Sequence, residues 1–269
     1  MVDISAKDVK ALRDATGAGI LDAKKALQET NNDHEAAAKM LREKGLVKSA
    51  ERSSRDAAQG AIGAAVAPDV NAAALVQLKS ETDFVAKSPL FVGLVNQLAA
   101  AVAANGESAA EGMKDAIDDL KVALKENIQL GQVVRFEAAN GNVIEIYLHS
   151  QSGRGVNGVL VEVAAGSPEL AHDVAVHIAF GKPTYLSRDD VPAAEIEAER
   201  ATLEAQTRNE GKPEQAIPKV VEGKLNGWFK RVPGGALLEQ PYAKDDKVSV
   251  AQLVAPAKVV RFAQVLIGQ

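Results

Sequence analysis

Three groupings in this sequence carry side chains able to do chemistry. Glu81 and Asp83 sit close together in LKSETDFVAKSPLF (Leu78 to Phe91), a pairing open to acid–base work. No histidine or nucleophile stands in that stretch, so a helix cap plus a solvated charge is the plainer reading. His172 and His177 stand five apart, whereas metal pairs on one helix face stand about four apart, so no metal site is expected. GRGVNG, Gly153 to Gly158, fits the glycine spacing of a dinucleotide-binding loop. Such a loop needs a helix after it to receive the pyrophosphate. Here VLVEVAA follows, a β pattern, so a glycine-rich hairpin is the better reading. No Ser-His-Asp arrangement or P-loop stands out.

Composition narrows the classes further. Cysteine is absent, which excludes disulfides, thiolate zinc sites and cysteine nucleophiles. The net charge is -5 with no dense basic tract, unlike a general nucleic-acid binder. No apolar run approaches the ~20 residues that a membrane span needs. No basic-then-apolar leader is read at the start, so a cytoplasmic protein is expected. Its partner should be another protein or a small molecule.

The elements that must hold these residues follow from pattern. Ser5 with Asp8, the breaker TGAG (Thr16 to Gly19), Asp33 as a cap and Gly45 as a C-cap predict three short helices. Residues 45–59 read as a polar, helix-compatible linker. AIGAAVA, a PDVN turn and AAALVQLKS predict a hairpin. Ser88-Pro89 opens a helix whose buried stripe is Leu90, Phe91, Leu94, Val95, Leu98 and Val102, and another helix is expected over about Ala109 to Ile128. Strands follow at VVRFEAA, NVIEIYLHS and GVLVEVAAG, then a helix from Pro168. Strand–turn–helix thus occurs twice, at Leu75–Ala104 and Val159–Phe180, suggesting two related halves. Residues 191–230 suit two antiparallel helices forming an arm, although Pro218 should delay or kink the second. The last strand, in KVVRFAQVLIG, is expected to rejoin the second half, making the arm an insertion.

Phe84 is the anomaly in this scheme. Aromatics make up only 4% of the chain, and one falls in a polar junction between strand and helix. Propensity favours burial under the following helix, perhaps against Phe91. The alternative is an anchor aimed outward by a turn that Thr82 or Asp83 caps.

The motifs then point to a family. VKALRDATGAGILDAKKAL, ETDFVAKS, KENIQLGQVVRFE, YLHSQSGRGVNGVLVEV, LAHDVAVHIAFGKPTYLSRDDVP and KPEQAIPKVVEGKL occur in the order of the bacterial elongation factor Ts family. The chain resembles those guanine-nucleotide exchange factors for elongation factor Tu over essentially its whole length. The resemblance implies an α+β fold with antiparallel sheets. Residues 1–55 would be a ubiquitin-associated-like three-helix module with its linker, and 56–140 and 141–190 the two halves of the core. Residues 191–230 would be a helical-hairpin, coiled-coil arm, and 231–269 a C-terminal module with the strand returning to the core.

It also implies sites. Thr82, Asp83, Phe84 and Val85 would meet the nucleotide domain of elongation factor Tu, with Phe84 wedging in to dislocate its Mg²⁺. Leu12, Ile20, Leu21, Ile128 and His149 match further partner contacts in the family. Elongation factor Tu, GDP-bound or nucleotide-free, is the implied partner, with no direct nucleic acid, no membrane, no cofactor, no metal and no covalent chemistry. Two other readings stay in view: an oxidoreductase using Gly153 to Gly158, and an adaptor that binds without altering GDP release.

Overall fold

A computed structural model describes residues 4–67, 71–139 and 141–268. Helices α1 (Ala6–Thr16), α2 (Ile20–Glu29) and α3 (His34–Glu51) open the chain. The Ser5 hydroxyl accepts the Asp8 N–H to start α1, and Gly17, at φ 66°, ends it in the left-handed conformation that glycine adopts without penalty. The Asp33 carboxylate caps α3 by accepting from Glu35 and Ala36 N–H. Val9, Leu12, Ala23, Ala26, Leu27 and Ala37 close the small core between them.

Gly45 does not end α3 as expected. A Cβ built there would lie 2.6 Å from Val122 Cγ1, so this glycine serves close helix approach inside a longer helix. Its neighbour there is α7 (Lys114–Leu124), and α3 also meets α7 through Arg42, whose guanidinium contacts Asp115 at 3.1 Å and Asp119 at 2.6 Å. Helix therefore occupies much of the expected linker.

Strands β1 (Gln59–Ala67) and β2 (Ala72–Ser80) pair antiparallel, from Gln59 opposite Ser80 to Ala67 opposite Ala72. Most of the expected PDVN turn, residues 68–70, lies outside the described residues. A short helix α4 (Asp83–Ala86) and then α5 (Pro89–Asn105) follow. The single helix expected to Ile128 is instead α6 (Ala109–Gly112) and α7, interrupted at Met113 and stopped by Lys125 at φ 59°. The remaining strands of the core are β3 (Gln129–Glu137), β4 (Val143–Gln151), β5 (Arg154–Ala164) and β8 (Lys258–Leu266). Helix α8 (Pro168–Gly181) follows β5.

Two three-stranded antiparallel units result. In one, β2 lies between β1 and β3; in the other, β5 lies between β4 and β8. They join where Ile62 pairs with Gly155. Helix α5 covers β1 and β2, and α8 covers β4 and β5. Ile62, Ala73, Leu75, Phe136, Leu160 and Val265 form the core shared by the two units of this one sheet. Strand β2 is consequently buried on both faces, which is why AAALVQL reads as a continuous apolar run rather than an alternation.

Between α8 and β8 lie α9 (Ala193–Asn209), α10 (Ile217–Phe229), the strand pair β6 (Pro241–Tyr242) and β7 (Asp245–Ser249), and α11 (Val250–Val254). Leu203 on α9 packs with Ile217, Val221 and Leu225 on α10, and Arg200 meets Glu222 across the pair, which runs antiparallel. Pro218 sits in the first turn of α10, where its missing N–H costs nothing, so it delays the helix rather than kinking it. Strand β8 then returns to β5.

Candidate functional site

The stretch between β2 and α5 is a small capped turn. Thr82 is the N-cap of α4, its hydroxyl accepting the Val85 N–H at 3.3 Å. Ala86 is fully buried and Val85 packs partly on the first-half core, so one side of the turn is pinned inward. Phe84 faces the other way and is 82% exposed, while Phe91 is 0% exposed in the core. The propensity reading that buried Phe84 against Phe91 is therefore corrected. In a helix one turn long, inward Val85 and Ala86 leave residue 84 on the outer face.

Charge reinforces the turn. Asp83 is hydrogen-bonded to Lys87 one turn on, and that bond holds its carboxyl below the ordinary carboxylate range. An ionised Asp at a helix N-terminus also suits the helix dipole. The Lys87 ammonium lies 6.0 Å from the centre of the Phe84 ring. Glu81 serves structure: its Oε1 accepts the Asn127 N–H at 2.6 Å and its Oε2 lies 3.4 Å from Arg55. A paired-carboxylate catalyst is thus absent from this turn.

The other expected residues divide into two groups. Ile20 is 60% exposed, Leu21 is 82% exposed, and His149 is exposed on β4. Leu12, at 2%, lies in the three-helix core, and Ile128, at 0%, in the first-half core. In the free chain these two side chains are turned into the protein, unlike Ile20, Leu21 and His149.

The glycine run is a hairpin. Ser152 and Gly153, both at positive φ, form the two-residue turn between Gln151 and its partner Arg154. β5 then continues to Ala164, so no helix N-terminus is offered to a pyrophosphate. Gly155 is needed for packing, since a Cβ there would lie 2.4 Å from the Ile62 carbonyl oxygen. Arg154 of this hairpin is buried and reaches back to β1, donating to the Gly60 carbonyl and, at 3.1 Å, to Gln59 Oε1. Of the histidines, exposed His172 contacts Glu145 at 2.8 Å, while buried His177 contacts Gln240 Oε1 at 2.9 Å. Among the described residues no three His, Asp or Glu side chains converge to hold a metal.

The family profile described as "Elongation factor TS" matches residues 81–269, beginning at the Thr82 turn. The chain belongs to the elongation factor Ts family. It is 43% identical to the elongation factor Ts of Clavibacter michiganensis and 41% identical to that of Streptomyces griseus, across the whole of both chains in each case. It is 40% identical to that of Alkalilimnicola ehrlichii, over 99% of this chain and 92% of that one. The family comprises translation elongation factors that exchange guanine nucleotide on elongation factor Tu without covalent chemistry of their own. Its members work in the cytoplasm, and no described helix here is long and apolar enough to cross a membrane.

Sequence reasoning did not single out Glu126, Asn127 or Lys87. Lys87 was findable, since Asp83 and Lys87 have the four-residue spacing of a helical ion pair. Glu126 and Asn127 carry no local signal, because what they bind lies more than forty residues away.

Proposed function

We propose that this chain releases GDP from elongation factor Tu by inserting Phe84 into the partner's nucleotide domain and disturbing its Mg²⁺ and phosphate site. The observation that carries this is Phe84 itself: a large apolar side chain, 82% exposed, on a turn capped by Thr82 and pinned by Ala86. Asp83 supports the contact by keeping Lys87 tied across the turn, and Val85 seats it. Mg²⁺ neutralises the phosphates of bound GDP, so a wedge that displaces it leaves their charge under-compensated. Burying one Phe contributes only ~1.5–3 kcal/mol, roughly a tenfold to hundredfold effect. Faster exchange therefore draws on further surfaces. Ile20 and Leu21 on the three-helix module and His149 on the second half supply exposed groups for them. Coupling is reciprocal: whatever weakens GDP on the partner is weakened by GDP in turn.

The division of labour in this reading follows the modules. Residues 1–55 act as a ubiquitin-associated-like contact module, 56–140 as the wedge-bearing half, 141–190 as the second docking half, 191–230 as a helical-hairpin arm, and 231–269 as the closing module. The partner is elongation factor Tu, GDP-bound and then nucleotide-free, with no role for nucleic acid or membrane. Stopped-flow release of labelled GDP from elongation factor Tu tests it. Phe84→Ala should slow stimulated release about tenfold to hundredfold, the reach of one buried Phe, with the variant still folded. Unchanged release would remove the wedge, and a wild-type chain that binds without speeding release would leave only an adaptor.

A further inference from the structure

Phe84 stands on a helix of four residues. So short a helix does not hold itself, because a first turn orders several torsions for very few hydrogen bonds. An outward aromatic adds no packing to help it. Beside Ala86, Val85, the Asp83–Lys87 pair and the Ser80 hydroxyl, which donates to the Thr82 carbonyl at 3.0 Å, one carboxylate grips the turn from another segment. Glu126 Oε2 accepts the Glu81 N–H at 3.1 Å and the Thr82 N–H at 3.2 Å, and its Oε1 accepts the Thr82 hydroxyl at 2.5 Å. Hydrogen bonds to an ionised acceptor are the stronger kind.

The hydroxyl links this carboxylate to the cap. Threonine has one hydroxyl hydrogen and two lone pairs. Giving the hydrogen to Glu126 leaves a lone pair to accept the Val85 N–H, the bond that caps α4. Glu126 thereby selects the hydroxyl orientation in which the cap forms. The segment bearing Glu126 is itself fixed. Lys125 turns the chain out of α7 in the left-handed conformation, and Ile128 is fully buried two residues after Glu126. Asn127 between them gives its N–H to Glu81 and its side-chain amide to the carbonyls of Ser53, at 3.2 Å, and Arg55, at 2.6 Å. The two strands of this clasp thus exchange bonds: Glu126 holds the backbone of Glu81 and Thr82, and Glu81 holds the backbone of Asn127.

We propose that Glu126 is a positioning residue for nucleotide exchange, acting through the Thr82 hydroxyl and two backbone N–H groups to aim Phe84. The proposal rests on the wedge reading. Its test is a double-mutant cycle on the full-length chain, read by stopped-flow release of labelled GDP from elongation factor Tu. Glu126→Ala should slow release about tenfold at saturating factor, and Glu126→Gln, which keeps one acceptor oxygen, should be milder. The Phe84→Ala, Glu126→Ala double variant should match Phe84→Ala alone, because a mis-aimed side chain that is absent costs nothing further. Amide exchange should quicken at residues 81–87 in Glu126→Ala and stay unchanged in α5.

The outcomes separate the two ideas. Normal release by Glu126→Ala beside slow release by Phe84→Ala overturns the positioning role and leaves the wedge standing. Normal release by Phe84→Ala overturns the wedge and the positioning role with it. Additive losses in the double variant mean that Glu126 acts elsewhere, and the proposal fails. Should Glu126→Ala melt as a whole, Glu126→Gln takes its place in the same cycle, under the same criteria.

Discussion

The two halves of the core share one plan and differ at one joint. Each is a hairpin whose second strand leads into a helix and then pairs with a third strand: β1, β2, α5, β3 and β4, β5, α8, β8. Both helices begin with the same device, a serine N-cap followed by proline. The Ser88 hydroxyl accepts the Phe91 N–H at 3.3 Å, and the Ser167 hydroxyl accepts the Leu170 N–H at 3.2 Å. The second half goes from the end of β5 at Ala164 to Ser167 almost directly. The first half interposes α4 between Ser80 and Ser88, and with it Phe84. A scaffold that needs only two residues to turn its chain in one copy spends a capped turn on the same task in the other. That surplus marks the joint as something other than a connection.

The second half carries its surplus after the helix. The chain leaves α8 for α9 and α10 and must be brought back to the core. Gln240, fully buried, receives it: its amide nitrogen, with two hydrogens to give, lies among the carbonyls of Gly181 at 3.1 Å, Arg231 at 3.0 Å and Gly234, while its own oxygen meets His177. The first-half core has a large aromatic, Phe91, where α5 meets the sheet; the second has this polar latch beside α8. Both halves are closed by apolar packing, and the second adds buried hydrogen bonds where its insertion returns.

The sharpest way to break the comparison is at the two phenylalanines of the first joint. Phe91→Ala should cost about 4 kcal/mol of stability, as large-to-small changes at fully buried aromatics do. Phe84→Ala should cost less than about 0.5 kcal/mol, as exposed substitutions do. Urea unfolding of both variants measures this, and a large loss from Phe84→Ala would return that residue to the core.

A smaller and symmetric effect is expected at the caps. Ser88→Ala and Ser167→Ala should each lose about 1 kcal/mol, the usual cost of removing a serine cap. Thermal unfolding compares them, and a markedly larger loss at Ser88 would show that the first joint depends on its cap in a way the second does not.

The smallest effect belongs to the latch. Burial lowers the pKa of His177 from its ordinary value near 6.5, and its Nδ1 accepts the Ala243 N–H at 3.2 Å. That bond leaves the proton on Nε2, which donates to Gln240. The unfolded chain takes up a proton at this site before the folded chain does. Its contribution to stability is therefore complete above about pH 6.5 and shrinks as pH falls toward the lowered folded value. His177→Gln should flatten stability between neutral pH and mildly acidic pH, measured by urea midpoints, whereas Phe84→Ala should leave that slope alone.

Much of this plan was legible because it is written in local chemistry. Ser5, Asp33, Ser88 and Pro168 announce helix starts, alternating and continuous apolar runs announce strands, and strand–turn–helix occurring twice suggests the repeat. The errors came where a distant neighbour overrode the local signal. Gly45 looks like a helix end but answers to Val122 across the module boundary. Ile128 and Leu12 are buried in the free chain, which their motifs alone do not reveal. The break between α6 and α7 and the stop at Lys125 left no signal strong enough to divide the helix expected there.

The sequence by itself determined that a capped turn carrying an aromatic lies between a strand and a helix, and the order of its motifs identified the family. Local chemistry could not decide which way Phe84 points; only the family resemblance implied an outward wedge. Propensity ranks a phenylalanine by its average burial, and averages favoured the core. The tertiary structure decided otherwise through contacts that no local window contains. Phe91 already fills the space beneath α5, Ala86 and Val85 take the inward face of α4, and Glu126 holds the turn from another segment. With its inward places occupied and its backbone held from outside, the turn leaves Phe84 only solvent, or a partner.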